Sequence, residues 1–420
     1  MDPATLRRWL TGGVIAAAVA ALVVVVALWP RGPAPDLGAQ PTTYVDAIVT
    51  ERRDTTCPSI ETDAPTSCTE WDVRLDSGDE AGATATFVTR DIDFGVPDLA
   101  VGDAVVLLDV PTSPPPYRYT YTDLQRSTPL WWLVAAFVVT VVAFGRWLGA
   151  RALAGLAASG LILVGFVVPA LLRDRPAVAV ALSGTVVIAV AALYLAHGFR
   201  LSTTVALAGT LLSLLITTVG ALAAASAAHL TGLADEQAQI LRVTADALDL
   251  RGLLVAGIVV GALGVLDDVT VTQVSTVAAL RRADPTAGRR RIFAEAVRVG
   301  RDHVASTVNT LVLAYAGASL PLVLLFAQGS QPVGRILGSE IVAVEIVRML
   351  VGSIGLVLSV PITTALAAAV LTDQDAAGID DGHGHGHGHG HGHAPRAPEV
   401  VPEAAPEPDW ETYAPRLDDT

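Results

Sequence analysis

Eight apolar runs, each long enough to cross a bilayer, constrain the fold of this chain more than any other feature. A soluble protein of 420 residues rarely carries 52% hydrophobic residues and a mean hydropathy of +0.53, because its exterior must stay hydrated. The sequence therefore predicts a polytopic α-helical membrane protein, surrounded by a lipid bilayer, with about eight transmembrane helices. The runs lie at 11–29, 129–148, 151–172, 176–198, 203–228, 252–278, 304–327 and 344–371.

Arginine placement predicts the orientation of these helices, since cytoplasmic loops carry an excess of positive charge. The rule places residues 1–10 inside, makes 11–29 an uncleaved anchor, and returns the C-terminus to the cytoplasm. The predicted inner loops are 146–151, 197–202 and 279–303. The last is the most basic segment of the chain, with Arg281, Arg282, Arg289, Arg290, Arg291, Arg298 and Arg301.

Segment 31–127 is predicted to form a small extracytoplasmic β domain, placed between the anchor and a seven-helix membrane domain at 129–371. It holds 17 acidic residues against 7 arginines, so no nucleic-acid-binding surface is expected. Short β-prone runs separated by polar turns favour a five-stranded, OB-like barrel. These runs are Tyr44–Thr50, Trp71–Leu75, Ala83–Thr89 and Ala104–Val110; the proline- and tyrosine-rich stretch 114–121 is predicted to be a stiff link to the membrane.

The two cysteines of the chain, Cys57 and Cys68, both lie in the predicted outer segment. Because an oxidising compartment permits disulfides and no other cysteine is present, a Cys57–Cys68 disulfide is the expectation. Two unpaired thiols are the alternative.

The tail 372–420 is polar and rich in proline, glutamate and alanine, so we expect it to be disordered. Its Gly-His repeat at 382–393 predicts binding of a divalent metal such as zinc, nickel, copper or cobalt. A metal-handling role and a functionless repeat expansion both remain open, and no other cofactor is expected to be required. The candidate ligands are His383, His385, His387, His389, His391 and His393.

Asp267 and Asp268 form the sharpest candidate site, because they lie near the middle of the sixth apolar run. A charged carboxylate at bilayer depth costs a few kcal/mol when it faces lipid, so the two acids must face protein, water or each other. Neighbouring helical residues point about 100° apart, which aligns Asp267 with Thr270 and Asp268 with Thr272. Thr270, Thr272 and Gln273 make this half of the helix polar. The acids are expected either to line a cation or proton path or to fix helix packing.

The last two apolar runs add further candidates. Asn309 is expected to be a buried polar group that seeks a partner, with Asp267 or Asp268 as candidates. His303 is expected at the cytoplasmic edge. Glu345 is expected to pair with Arg348 three residues later, with an outer cation vestibule as the alternative. Pro361 is expected to break its helix near the midplane, as in many transporters.

The last three apolar runs resemble the YibE/F family of bacterial membrane proteins. The resemblance is carried by Gly252–Gly257, Gly261–Thr270, Gly300–His303, Asn309–Leu311 and Ala314–Gly317, together with Glu345 and Pro361–Thr363. It implies a plasma-membrane location, a permease-type activity, and Asp267 as the family's intramembrane acid. Asp268 stands where the family often has a small apolar residue.

These features predict a transporter or permease that uses Asp267, with its substrate undetermined. The alternative is a membrane scaffold or envelope-assembly factor whose β domain binds an outer partner. A homo-oligomer is also considered. An enzyme is not expected, because Walker A, zinc-protease and Rossmann motifs are missing from the sequence and adjacent acids do not suit an intramembrane aspartyl protease.

Overall fold

The computed structural model of the chain describes residues 3–32, 42–57, 66–90, 95–234, 236–244, 248–329 and 332–372. The predicted disordered tail, with its six candidate histidine ligands, lies outside the described residues apart from Thr372.

Long apolar helices form an N-terminal anchor and a C-terminal body, as expected for segments that must satisfy their backbone groups internally in lipid. A π-helical turn, Leu163–Val167, joins the second and third helices. The helices are α1 (Pro3–Leu28), α2 (Ser127–Ile162), α3 (Val168–Leu171), α4 (Ala177–His197), α5 (Leu201–Ala227), α6 (Glu236–Thr244), α7 (Leu250–Ala283), α8 (Arg289–Ala318), α9 (Leu320–Gln328), α10 (Val333–Leu337) and α11 (Glu340–Val370).

Within the described ranges, six helical segments are long and apolar enough to cross a bilayer, and a seventh arises if α8 and α9 form one span bent by 59°. The predicted pair of runs at 129–148 and 151–172 falls in one helical segment, Ser127–Leu171. Arg146 has non-helical backbone angles, and a Cβ added to Gly149 would collide with the carbonyl of Val141. Residues eight apart in a straight helix are separated by about 12 Å, so the chain bends sharply at Arg146. Two spans divided at this bend would give the predicted eight.

The predicted inner loops and the two ends of the membrane region lie at the same end of the helix bundle. The Arg7 guanidinium donates to the carbonyl of Val370 (3.0 Å) and to the hydroxyl of Thr372. Arg281 donates to the carbonyl of Ala368, and Arg151 donates to that of Leu195. The arginines that guided the orientation therefore close one end of the bundle.

The segment after α1 forms five strands: β1 (Thr43–Cys57), β2 (Thr66–Leu75), β3 (Thr84–Arg90), β4 (Ala104–Asp109) and β5 (Tyr119–Leu124). They make an antiparallel sheet in the order β3-β2-β1-β4-β5, which curves into a half-barrel. Inward side chains alternate along each strand and build a core around Trp71, Phe87 and Leu107. The predicted link of residues 114–121 is wrong in part, because Tyr119–Leu124 pairs with β4 as the fifth strand.

The predicted disulfide is confirmed: Cys57 at the end of β1 is bonded to Cys68 near the start of β2. It lies at the loop end of this hairpin, where Cys57 pairs with Thr66. At the other side of the sheet, Arg118 donates two hydrogen bonds to Asp109 (2.9 and 3.1 Å) and one to Glu80. The bonds to Asp109 and, after them, the bond to Glu80 raise the pKa of Arg118 above its ordinary value.

Helices α5, α7 and α11 form the centre of the membrane body. Apolar side chains pack at both ends of this three-helix contact, around Val205 and Val274 at the arginine-rich end and around Leu214 and Leu266 farther along. Between these two apolar layers the three helices meet through polar side chains.

Candidate functional site

A column of buried polar side chains fills the interface between α5, α7 and α11. Eight of its nine members are at most 1% exposed, and Asp267 is partly buried. Serine and threonine are common where membrane helices pack closely, whereas an ionisable side chain such as Asp267 is rare there. We call this set of side chains the polar column; its members are Thr210, Ser213 and Thr217 from α5, Asp267, Thr270 and Gln273 from α7, and Ser359, Thr363 and Thr364 from α11.

Two glycines let α5 and α11 approach closely enough to build the column. A Cβ added to Gly209 would collide with the hydroxyl of Thr363, and one added to Gly355 would collide with that of Thr217. These two contacts fix an antiparallel pairing that places Ser213 midway between them, level with Ser359. Small residues at such crossings allow this approach inside a bilayer.

Hydrogen bonds connect α5 to α7 at the acid. The hydroxyl oxygens of Thr210 and Thr270 lie 2.7 Å apart, and Thr270 also donates to the backbone carbonyl of Asp267 (3.1 Å). Thr210 interacts with the Asp267 carboxyl. Asp267 is about 25 Å from either end of α7, at 1.5 Å per residue, so the acid lies deep in the bundle.

One turn beyond Thr270, the column ends against α8. Thr364 donates to Gln273 Oε1 (2.9 Å), while Gly300 of α8 presses against the amide of Gln273 and the side chain of Val360. From Thr217 to Thr364 the column runs for about 14 Å along the helices.

Several buried atoms of the column have no hydrogen-bond partner among the described residues. They are Asp267 Oδ1, Ser213 Oγ, Thr363 Oγ1 and Gln273 Nε2. Buried polar groups are nearly always hydrogen-bonded, so a cluster of four exceptions calls for an explanation such as water or an ion.

Residues 133–373 match the family model described as YibE/F-like protein, which covers more than half of the chain. The chain belongs to the YibE/F-like family. The matched region of this YibE/F-like protein includes every residue of the polar column, whereas α1 and the β domain precede it. Neither the curated proteins nor the solved structures yielded a match to the chain.

The two acids of this YibE/F-like protein face different surroundings. Asp267 and Thr270 point into the column, whereas the side chain of Asp268 is 71% exposed on the outer surface of α7. The Nε2 atom of His303 on α8 lies 3.9 Å from Asp268 Oδ2. The two carboxyls therefore do not line one path, and Thr272, aligned with Asp268, is only partly buried.

Other predicted site residues lie elsewhere. The expectation that Asn309 is buried is wrong, since its side chain is exposed on α8. The expected break at Pro361 is also absent: α11 continues through it, and Thr363 and Thr364 follow directly in the column. The expected Glu345–Arg348 ion pair is confirmed at 2.8 Å.

Sequence reasoning missed the contribution of α5 and of Ser359. The available signal was the spacing of Thr210, Ser213 and Thr217 at i, i+3 and i+7, which puts three hydroxyls on one face of the helix. No group of three or more His, Cys, Asp or Glu side chains able to hold a metal ion occurs in the described part of the chain.

Proposed function

We propose that this protein is a transporter or permease of the bacterial plasma membrane, and that its substrate passes along the polar column with Asp267 as the coupling acid. The observation that supports this most is the position of Asp267, which lies deep in the bundle and carries an unpartnered carboxylate oxygen. An ionisable side chain placed among intramembrane hydroxyls is typical of ion and proton paths.

The shape of the column supports the same proposal. A purely structural network would use its hydroxyls to satisfy one another, as Thr210 and Thr270 do. Ser213 and Thr363 instead leave their oxygens unpaired within the described residues, Thr363 about one turn farther along the column than Ser213. Their arrangement suits a path along which a small polar species moves between successive oxygens.

The orientation in this proposal follows the arginines. The end of the bundle that carries Arg7, Arg151 and Arg281 faces the cytoplasm, and the β domain lies outside. On this orientation the disulfide Cys57–Cys68 is in an oxidising compartment, which is where such bonds persist.

Substituted-cysteine accessibility tests whether the column is a hydrated path. Ser213→Cys, in the column, is compared with Ser183→Cys on α4, a buried serine whose hydroxyl is satisfied by the carbonyl of Ala179 (2.7 Å). A water-soluble methanethiosulfonate reagent is expected to label position 213 in membranes and leave position 183 unlabelled. Equal protection of both cysteines, in protein that is folded and inserted, would instead favour the scaffold role and direct attention to partners of the β domain.

A further inference from the structure

The outward face of α7 differs from the surfaces that other helices present to lipid. Helices α2 and α5 expose large apolar side chains, such as Phe137 and Leu215 (50% and 52% exposed). Along α7, whose residues are all described, no large apolar side chain is exposed. Between its first and last turns the exposed residues are small or polar, and they recur every three, four or seven positions. We call them the α7 seam: Gly257, Gly261, Gly264, Asp268, Ser275 and Ala279.

The glycines of the α7 seam meet no part of this chain that would require their small size. A Cβ added to Gly264 would have no atom within 4 Å, and one added to Gly261 would meet only the hydroxyl of Tyr315, at 3.7 Å. Gly209 of α5 is different, because it lies against Thr363 of α11. Glycine, alanine and serine at such spacings let two helices approach closely in a bilayer. The seam therefore has the composition of a helix contact, and no helix of the described chain covers it.

Asp268 makes this exposed face costly in lipid. The acid lies two residues from position 266, which is halfway between Arg251 and Arg281 near the ends of α7, so it is close to the middle of the span. Its side chain is nevertheless 71% exposed. Asn309 of α8, about 9 Å farther along that helix than the histidine beside Asp268, is exposed as well. Ionisable side chains inside a bilayer almost always face protein or water, so this face requires a cover.

The groups that would balance Asp268 are present in a second copy of the chain. Both copies have the same orientation in the membrane, so a two-fold axis along the membrane normal sets equal depths of two α7 helices opposite each other. Beside each Asp268 lies His303 of α8, whose Nε2 atom is 3.9 Å from the carboxylate and has no hydrogen-bond partner in the described chain. Two copies therefore bring two acids and two histidines to one level, where protonated histidines balance the carboxylates. An unrelated helix would have to bring its own basic group to this depth.

We propose that the α7 seam is the interface of a homodimer in the membrane, where two α7 helices cross at Gly261 and Gly264 with Asp268 at their contact. Alternating spacings of three and four form the seam of a parallel helix pair, and one polar residue within such a seam fixes its register and the number of helices. Asp267 and Thr270 face α5 instead, so each copy keeps its own polar column. The dimer is independent of the proposed transport activity, and either can fail without the other.

Disulfide cross-linking in membranes tests the contact. Gly264→Cys is compared with Leu215→Cys on α5, an exposed position at a similar depth, since its neighbour Leu214 shares an apolar cluster with Leu266. The native cysteines are bonded to each other and add no free thiol. Oxidation with copper phenanthroline is expected to convert most of the Gly264→Cys protein into a covalent dimer and to leave Leu215→Cys monomeric.

Three results of this experiment would overturn the proposal. Equal cross-linking at both positions would show random collision. Adducts of Gly264→Cys with a different protein only would assign the face to another partner. Labelling of Gly264→Cys by a water-soluble thiol reagent, without cross-linking, would show that water covers the face.

Subunit counting in liposomes tests assembly without a cross-linker. The full-length protein, labelled with one fluorophore per chain, is expected to bleach in two steps at low density. Gly264→Leu is expected to bleach in one step, because leucine separates the two helices without a clash inside its own chain. The matched variant Gly160→Leu, at an exposed glycine of α2 that also meets no atom within 4 Å, is expected to stay dimeric. Single-step bleaching of the wild type, or two-step bleaching of Gly264→Leu, would overturn the dimer.

Asp268→Leu tests the acid within the seam by the same measurement. This variant is expected to raise the dissociation constant of the dimer about three- to twentyfold, the effect of losing one hydrogen bond between membrane helices. A tighter dimer in Asp268→Leu would overturn the place of the carboxylate at the contact.

Discussion

The hydroxyl oxygens of Thr210 on α5 and Thr270 on α7 lie 2.7 Å apart in the centre of the membrane bundle, immediately beside Asp267. This contact links α5 to α7 in the polar column, between the two apolar layers in which the same helices pack. Each hydroxyl also lies within hydrogen-bond distance of a backbone carbonyl of its own helix. Because a hydroxyl has one proton to donate, one of the two threonines donates to the other and the second donates to its own carbonyl.

Replacing Thr210 by valine should destabilise the bundle, because the shape is kept while the hydrogen bond between α5 and α7 is lost and Thr270 keeps only its bond to the Asp267 carbonyl. A hydrogen bond of this kind contributes about 0.5–1.5 kcal/mol. The control is Thr218→Val, a buried threonine of the same helix that donates only to the carbonyl of Leu214. In a denaturing detergent, Thr210→Val should have a clearly lower free energy of unfolding than the control. Equal stability of the two variants would mean that the inter-helix bond contributes nothing.

Gly300→Ala should disturb the end of the column. A Cβ at this position would come within 2.6 Å of both Gln273 Nε2 and Val360 Cγ1, so α8 must shift or the amide must move. Overpacking of this kind costs about 1–3 kcal/mol.

Gly257→Ala is the matched control for this prediction, since a Cβ on Gly257 meets no atom within 4 Å. Alanine is also the better helix former, so this variant should be as stable as the wild type or more so. If Gly300→Ala unfolds at the same temperature as Gly257→Ala, the close contact of α8 with Gln273 is not present in the protein.

Glu340 at the start of α11 is expected to hold the loop that follows α5. Its carboxylate accepts hydrogen bonds from the amides of Thr231 (2.6 Å) and Gly232 (2.9 Å) and from the Thr231 hydroxyl. Glu340→Ala should speed amide hydrogen exchange at Thr231 and Gly232 by about tenfold, the effect of losing one charge-assisted bond. Glu236→Ala, at an exposed glutamate of α6, should leave exchange in this loop unchanged. Unchanged exchange in both variants would contradict the role of Glu340.

The disulfide gives a test of orientation. If the β domain lies outside, protein isolated from membranes under non-reducing conditions should show no maleimide-reactive thiol, and two after reduction. Two reactive thiols before reduction would place Cys57 and Cys68 in a reducing compartment and reverse the proposed topology.

The architecture was predictable from the sequence where one strong physical signal acts alone. Apolar length fixed the helices, arginine placement grouped Arg7 and Arg281 at one end, and two cysteines in one polar segment predicted their bond. The sharp bend at Arg146 falls within the inner loop predicted at 146–151, because two arginines interrupt the apolar sequence there. The strand Tyr119–Leu124 was hidden by the prolines before it.

The site was predictable only in part. Helical spacing separated Asp267 from Asp268 correctly, but it could not show which of the two faces the bundle interior. Which acid faces the interior depends on the partner helices. The hydroxyls of α5 join a polar column only because Gly209 and Gly355 let α11 pack against them. The prediction that Asn309 is buried was wrong for the same reason, since polarity alone does not tell whether a side chain faces the interior of its bundle.

The most direct test of the central claim is cation flux in proteoliposomes, comparing the wild type with Asp267→Asn and Asp249→Asn. Asp249 caps the first turn of the same helix far from the column, and asparagine caps equally well, so this variant controls for the loss of one acid. We expect that Asp267→Asn, folded and reconstituted to the same level, loses the cation flux that the wild type and Asp249→Asn retain. Undiminished flux through Asp267→Asn would contradict the claim that the polar column is the path.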